Sequence, residues 1–146
     1  MIVRWCAVAV GLCTLGLLTA CDGDAAPLID GPPPVSDQIF TAGAAVYAAH
    51  CLACHQTDGS GVPHLYPAMF ETPSVADPNP ARLIRAIVHG VGAPNDKTLP
   101  RTGEYGAAMA AFGHLSDDEL AALVTYTRQK WGDAAPVTAA DIAAAR

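Results

Sequence analysis

In three stretches between positions 37 and 132, apolar residues recur every three or four residues, which is the spacing of the buried face of an amphipathic helix. The first such stretch predicts a helix from about Asp37 to Ala49. Gly43 lies inside it, where glycine is about 1 kcal/mol less favourable than alanine. We therefore expect another helix to approach this one closely at Gly43.

Two further helices are predicted from their ends. For the second helix, Asn79 is the expected N-cap, Pro80 is the first helical residue and Gly90 follows the last one. The third begins with a capping box formed by Ser116 and Glu119 and ends before a glycine at position 132.

Residues 56–78 and 91–115 are rich in glycine and proline and are predicted to be loops. No stretch alternates well enough to predict a strand, so we expect an all-α fold with three main helices. Loops of this length are uncommon in a small domain unless they serve a function. We expect them to wrap a large apolar prosthetic group.

The first 20 residues have the pattern of a secretory leader, with Arg4 near the start and an apolar run that reaches Leu18. This run is shorter than the ~20 apolar residues of a membrane-spanning helix. We therefore expect the leader, residues 1–20, to be cleaved and the chain to be exported.

The rest of the chain divides into three parts by composition. Residues 21–36, rich in Asp, Gly, Ala and Pro, predict an extended tether. Residues 37–132 form the predicted domain, and residues 133–146 are an alanine-rich tail. A chain of 146 residues has room for one modest core.

The charge of the chain argues against one class of partner. Its 8 basic and 14 acidic residues give a net charge of −6, which becomes −7 when the leader and Arg4 are removed. There is no basic stripe, so we expect no binding to nucleic acid.

Cys51, Cys54 and His55 form the pattern C-x-x-C-H, which indicates attachment of a c-type haem. On a helical turn, residues three and four apart share a face. Both thiols can therefore form thioethers with one haem while the imidazole reaches its iron. We expect one covalent haem c.

Two other interpretations of this motif are weaker. A zinc site would need a second pair of ligands at finger or ribbon spacing, and the remaining candidates, His64, His89 and His114, are scattered. A redox-active dithiol would be expected in an α/β pattern, which is absent from the sequence.

Cys21 follows Leu-Thr-Ala, which resembles the lipobox of bacterial lipoproteins, so we expect Cys21 to carry lipid. Cys6 and Cys13 would leave with the leader. Only the motif cysteines then remain, and no disulfide framework is possible. Asp22 resembles the signal that retains some lipoproteins in the inner membrane. The expected location is the periplasmic side of the bacterial cell envelope, anchored to that membrane.

With its C-x-x-C-H motif and three predicted helices, the chain resembles the class I mono-haem c-type cytochromes over about residues 37–132. In that family the N-terminal and C-terminal helices cross, and Gly43, Tyr47, Leu123 and Tyr126 match the positions of the crossing. The resemblance implies a small all-helical fold around the haem.

The resemblance also implies a methionine as second axial ligand, from the loop before the C-terminal helix. Met109 fits this position. Met69 lies too early in the chain by family precedent, and its alternative role is to fill a gap in the core. His89 and His114 are rival nitrogen ligands.

Residues 109–117 resemble the Met-Pro-x-Phe-Gly and Leu-Ser-Asp segments of cytochrome subunits of membrane-bound dehydrogenases. Ala110 stands where proline is usual, which leaves the ligand loop less constrained. The family also implies a proline carbonyl that accepts a hydrogen bond from His55, and either Pro63 or Pro67 could supply it.

The expected function is transfer of single electrons and not catalysis. The expected partners are a membrane-bound dehydrogenase, an oxidase or another cytochrome. The alternative is a haem enzyme or a haem protein that binds small ligands, in which the bond to Met109 is labile. An enzyme would need convergent acid or base groups at an open iron, and the sequence shows no such constellation.

Overall fold

The computed structural model describes residues 35–92 and 105–146. The predicted leader, Cys21 and all but the last two residues of the predicted tether lie outside these ranges, as do residues 93–104 of the second predicted loop.

The regular secondary structure of the described residues is helical, with two isolated antiparallel bridges and no strand among them, which confirms the all-α fold. The helices are α1 (Asp37–His50), α2 (Leu52–His55), α3 (Pro73–Ala76), α4 (Ala81–His89), α5 (Asp117–Trp131) and α6 (Ala139–Ala145). A 3-10 turn, Met69–Glu71, precedes α3. Among the described helices, none has the length and apolar character needed to span a membrane.

Helices α1 and α5 cross at Gly43, as predicted. A Cβ atom at Gly43 would overlap the carbonyl oxygen of Ala122 and lie 2.6 Å from Cβ of Tyr126. Tyr47, one turn further along α1, is buried, and its ring centroid lies 5.6 Å from that of Tyr126. Only glycine permits this approach, which explains a helix breaker inside α1.

Helix α5 is the centre of the core. After its first turn, nine consecutive residues, 120–128, are buried. The predicted capping box is present: Glu119 N donates to Ser116 Oγ at 3.3 Å, and Ser116 N donates to Glu119 Oε2 at 2.9 Å. The last helical hydrogen bond runs from the N–H of Gly132 to the carbonyl of Arg128.

Helix α4 begins at Ala81, one residue later than predicted, with Pro80 already in helical conformation before it. Asn79 Oδ1 nevertheless accepts a hydrogen bond from Ala81 N at 3.0 Å, as an N-cap side chain does. Gly90 ends the helix with φ +79°, a left-handed conformation that favours glycine. The buried face of α4 consists of Leu83, Ile84, Ile87 and Val88.

The alanine-rich tail contains a helix that sequence reasoning did not predict. Thr138 and Asp141 form a second capping box at the start of α6. Ile142 is completely buried, and α6 packs against α4 and α5. The tail is therefore joined to the core of the domain that precedes it.

Arg128 fastens the start of the tail to the loop before α4. Its side chain is 1% exposed. Its Nε donates to the carbonyl of Ala135 at 3.0 Å, and one terminal nitrogen donates to the carbonyl of Asp77 at 2.6 Å. Burial lowers the pKa of Arg128.

We expect Gly43→Ala to lower the free energy of unfolding by about 2 kcal/mol, because a tightly packed crossing must open to admit a methyl group. Urea unfolding followed by far-UV circular dichroism measures the change. Gly106→Ala is the matched control, since a Cβ there would approach no atom closer than 3.4 Å. Equal stability of the Gly43 variant and wild type would contradict the close crossing.

Candidate functional site

The C-x-x-C-H motif lies on the turn where α1 gives way to α2. Cys51 N donates to the carbonyl of Tyr47 at 2.8 Å, so the turn continues from the helix that α5 holds. The amides of Cys54 and His55 then both donate to the carbonyl of Cys51, at 3.1 and 2.9 Å. This single helical turn places the two thiols and the imidazole three and four residues apart on one face.

His55 is buried, and its ring is oriented by a backbone carbonyl. Nδ1 lies 3.1 Å from the carbonyl oxygen of Pro67. A carbonyl only accepts, so Nδ1 carries the proton and the lone pair of Nε2 is left for a metal. Of the two candidate prolines, Pro67 therefore makes this contact, while Pro63 lines a surface cavity with His64.

Burial lowers the pKa of His55, and the contact with Pro67 opposes this in part. The imidazole is therefore neutral at neutral pH, which is the form that binds a metal. A carbonyl on the second ring nitrogen also raises the basicity of a metal-bound histidine.

The loop after α2 brings Pro67 to His55. Gly61 N donates to the carbonyl of His55 at 3.2 Å, and Val62 and Tyr66 pair as an antiparallel bridge. Gly61 has φ +64°, and a Cβ there would lie 2.4–2.7 Å from the carbonyls of Tyr66 and Pro67, so only glycine allows the loop to fold back this tightly.

The two motif thiols lie in different surroundings. Cys51 is buried, and this burial, reinforced by Cys54, raises the pKa of Cys51 to about 11. Cys51 is therefore a protonated thiol at neutral pH. Cys54 is partly exposed. Within residues 35–92 and 105–146, no three His, Cys, Asp or Glu side chains are grouped so as to hold a metal ion.

These residues fit a covalent haem. Two thiols on one turn, one of them in apolar surroundings, suit thioether links to one porphyrin. An imidazole with its Nδ1 held and its Nε2 available suits the iron.

Met109 lies in an extended segment held by backbone pairing. Its N–H donates to the carbonyl of Val91 at 2.9 Å, and its carbonyl accepts from Val91 N at 3.1 Å. A Cβ on Gly90 would lie 2.5 Å from the Met109 carbonyl oxygen, so the end of α4 and this segment are in close contact. The Met109 side chain is partly buried against the core.

The rival ligands lie elsewhere in the fold. Met69 is partly buried against the core at the start of the 3-10 turn. His89 is exposed at the last residue of α4. His114 is exposed, with its ring 6.3 Å from that of His50 and 6.2 Å from that of Phe112.

Sequence reasoning did not identify two residues beside the motif. Gln56 has φ +62°, and its carbonyl accepts a hydrogen bond from the hydroxyl of Tyr47 at 2.7 Å. Cys54 raises the pKa of Tyr66 through its side chain. Both residues belong to the loop that follows α2. The sequence has no local pattern that predicts how this loop folds back.

Comparison with known proteins identifies the family of the chain. Residues 40–131 match the protein family described as Cytochrome c. Over 106 residues the chain is 38% identical to the cytochrome c subunit of a quinone alcohol dehydrogenase from Gluconobacter oxydans, a match that covers 69% of this chain and 21% of that protein.

Two further relatives point the same way. The gluconate 2-dehydrogenase cytochrome c subunit of Pantoea cypripedii is 37% identical over 108 residues, which are 71% of this chain and 24% of that protein. Cytochrome c-552 of Thermus thermophilus is 30% identical over 98 residues, 65% of this chain and 72% of the relative.

The chain spans between a fifth and a quarter of the length of the dehydrogenase subunits that it matches. The match to the family contains both motif cysteines and His55, and it runs from α1 to the end of α5. The protein therefore belongs to the cytochrome c family, and its domain is a haem c electron carrier and not itself a catalyst.

Proposed function

We propose that this chain holds one haem c, joined to Cys51 and Cys54 and ligated by His55 and Met109, and passes single electrons between redox proteins. The observation that carries the proposal is the contact between His55 Nδ1 and the Pro67 carbonyl, 3.1 Å long, on the same turn as the two thiols. It leaves Nε2 as the imidazole atom for iron.

The chain's own residues attach and orient the group. Cys51 and Cys54 would hold the haem through thioether bonds to its two vinyl groups. When bound, the haem supplies an iron that takes up and releases one electron. Pro67 keeps the His55 ring in position, and the burial of Cys51 and His55 limits access of water on this side.

The proposal that Met109 is the second ligand rests on its place in the chain and on its held backbone. Met109 precedes α5, which begins with a capping box, as the ligand methionine of the resembled family precedes its C-terminal helix. Its pairing with Val91 ties the segment to the end of α4. A thioether ligand favours ferrous iron and raises the reduction potential.

The relatives suggest where the electrons come from. Several are named as cytochrome subunits of alcohol, gluconate or fructose dehydrogenases. We infer that this protein accepts electrons from a periplasm-facing, membrane-bound dehydrogenase and passes them to an oxidase or another cytochrome of the respiratory chain.

The proposed location follows from the first 22 residues. A cleaved leader and lipid on Cys21 would anchor the domain to the periplasmic side of the envelope, and Asp22 favours the inner membrane. Residues 21–36 would then act as the tether that separates domain and membrane.

The covalent haem is tested by extraction. Denatured wild-type protein should keep its haem through acid-acetone treatment, and intact mass should show one haem per chain, because thioether bonds survive unfolding. The double variant Cys51→Ala, Cys54→Ala is the control and should release any pigment. Clean extraction from wild type would contradict covalent attachment.

Met109→Ala should keep the haem but open the iron, because both thioethers and His55 remain. The oxidised wild type should show the weak sulfur-to-iron absorption band at the red end of the spectrum, and the variant should lose it. Its reduction potential should fall, because the soft thioether is lost. Met69→Leu, which conserves volume, is the control and should change neither; the reverse result would assign the ligand to Met69.

Cys21→Ser should move the protein from the membrane fraction to the soluble fraction, because the thiol that would carry lipid is gone. Cys13→Ser is the matched control, since that residue would leave with the leader. Membrane fractionation and intact mass measure the outcome. Wild-type protein that is soluble without detergent and carries no lipid mass would rule out the anchor.

A further inference from the structure

Arg146, the residue after α6, binds the chain between Met109 and Asp117, the first residue of α5. Its Nε donates to Asp117 Oδ1 at 2.6 Å. Its two terminal nitrogens donate to the carbonyls of Gly113 and Leu115, at 2.7 and 2.8 Å. One guanidinium thus binds three acceptors that lie within five residues of one another in the chain.

The opposite side of the same segment is held by α4. Phe112 N donates to the carbonyl of Ile87 at 2.9 Å, and Gly113 N donates to that of Val88 at 3.0 Å. Gly113 therefore has its N–H bonded to α4 and its carbonyl bonded to Arg146. The segment is clamped between two elements that come from different parts of the chain.

Helix α6, which precedes Arg146, is packed against the core. Ile142 is completely buried. At the start of the tail, Val137 N donates to Thr125 Oγ1 at 2.9 Å, and this hydroxyl donates to the Val137 carbonyl at 3.2 Å. A side chain on a helix docked in this way holds its partners better than one on a free tail.

The hydrogen bonds of Arg146 hold a segment that lacks the proline usual after the ligand methionine. Ala110 stands where the resembled segment has proline, so the backbone next to Met109 lacks a fixed φ. The family match ends at residue 131, before α6 begins. The clamp thus comes from a part of the chain that the family match does not cover.

We infer that Arg146 is a positioning residue that keeps the Met109 segment closed on the iron, in place of the missing proline. The inference rests on the proposed ligation by Met109. Without the clamp, the segment would still pair with α4, but its open form would be more populated. Arg146 acts through Met109 and touches neither the thioether links nor His55.

Exogenous imidazole reports on this open form, because it binds iron only when Met109 has left. Its apparent affinity therefore scales with the open fraction. In the oxidised holoprotein, we expect Arg146→Ala to bind imidazole on the order of fivefold more tightly than wild type, the scale of one partly exposed, charge-assisted hydrogen bond.

The sulfur-to-iron band gives a second readout. In guanidinium chloride, the band of Arg146→Ala should disappear at a lower denaturant concentration than that of wild type, while the loss of helix measured by circular dichroism moves less. A purely structural role would shift both transitions together. Arg146→Lys, which keeps the charge but not the three-point geometry, should fall between Arg146→Ala and wild type.

Arg85→Ala removes the same charge from an exposed position on α4 and should behave as wild type. If Arg146→Ala matches Arg85→Ala in imidazole affinity and band stability, the inference is overturned and the Met109 ligation stands. If wild type lacks the band, or keeps it in Met109→Ala, then the proposed ligation fails and the inference falls with it.

Discussion

The close contact of α1 and α5 at Gly43 is the constraint on which the rest of this small domain depends. It fixes the direction in which α1 ends, and the haem motif follows within one turn of that end. Tyr47 stands between the two, buried against α5 with its hydroxyl bonded to the carbonyl of Gln56 just beyond the motif. The crossing therefore positions the motif as well as closing the core.

Around this crossing, the site is built by loops that return to helix ends through backbone contacts. The loop after α2 returns to His55 through the Pro67 carbonyl, and the segment at Met109 returns to α4 through Val91. Both returns use glycines at which a side chain would collide with a carbonyl, Gly61 in one and Gly90 in the other. The loops can thus be long and still hold their partners in defined positions.

The long helices could be predicted from the sequence because their signals are local. The capping box of Ser116 and Glu119 and the glycine after α5 act within one or two turns of chain, and α1 and α5 have the predicted bounds to within one residue. Helix α4 starts one residue late because its first helical hydrogen bond runs from Ile84 N to the carbonyl of Pro80, at 2.9 Å, which makes Pro80 the N-cap.

The missed features depend on contacts between distant residues. Thr138 and Asp141 carry the same capping signal as α5, but the alanines of α6 show little apolar pattern, and its burial becomes evident only when Ile142 meets the core. The choice of Pro67 over Pro63 likewise depends on a bridge that turns the loop. The three haem-motif residues were evident in the sequence because the motif is local, whereas the Met109 assignment rests on family resemblance.

The use of two arginines to hold the tail, Arg128 in α5 and Arg146 after α6, follows from the small size of the core. Alanine-rich helices bury little apolar area for each residue, so hydrophobic packing alone holds the tail weakly. Arg128 and Arg146 extend this packing by donating to backbone carbonyls, which belong to segments about 50 residues away for Arg128 and about 30 for Arg146. A guanidinium suits this role because its donors lie in one plane and it keeps its charge when buried. The tail thus contributes to the domain through directed hydrogen bonds at both of its ends, with Ile142 buried between them.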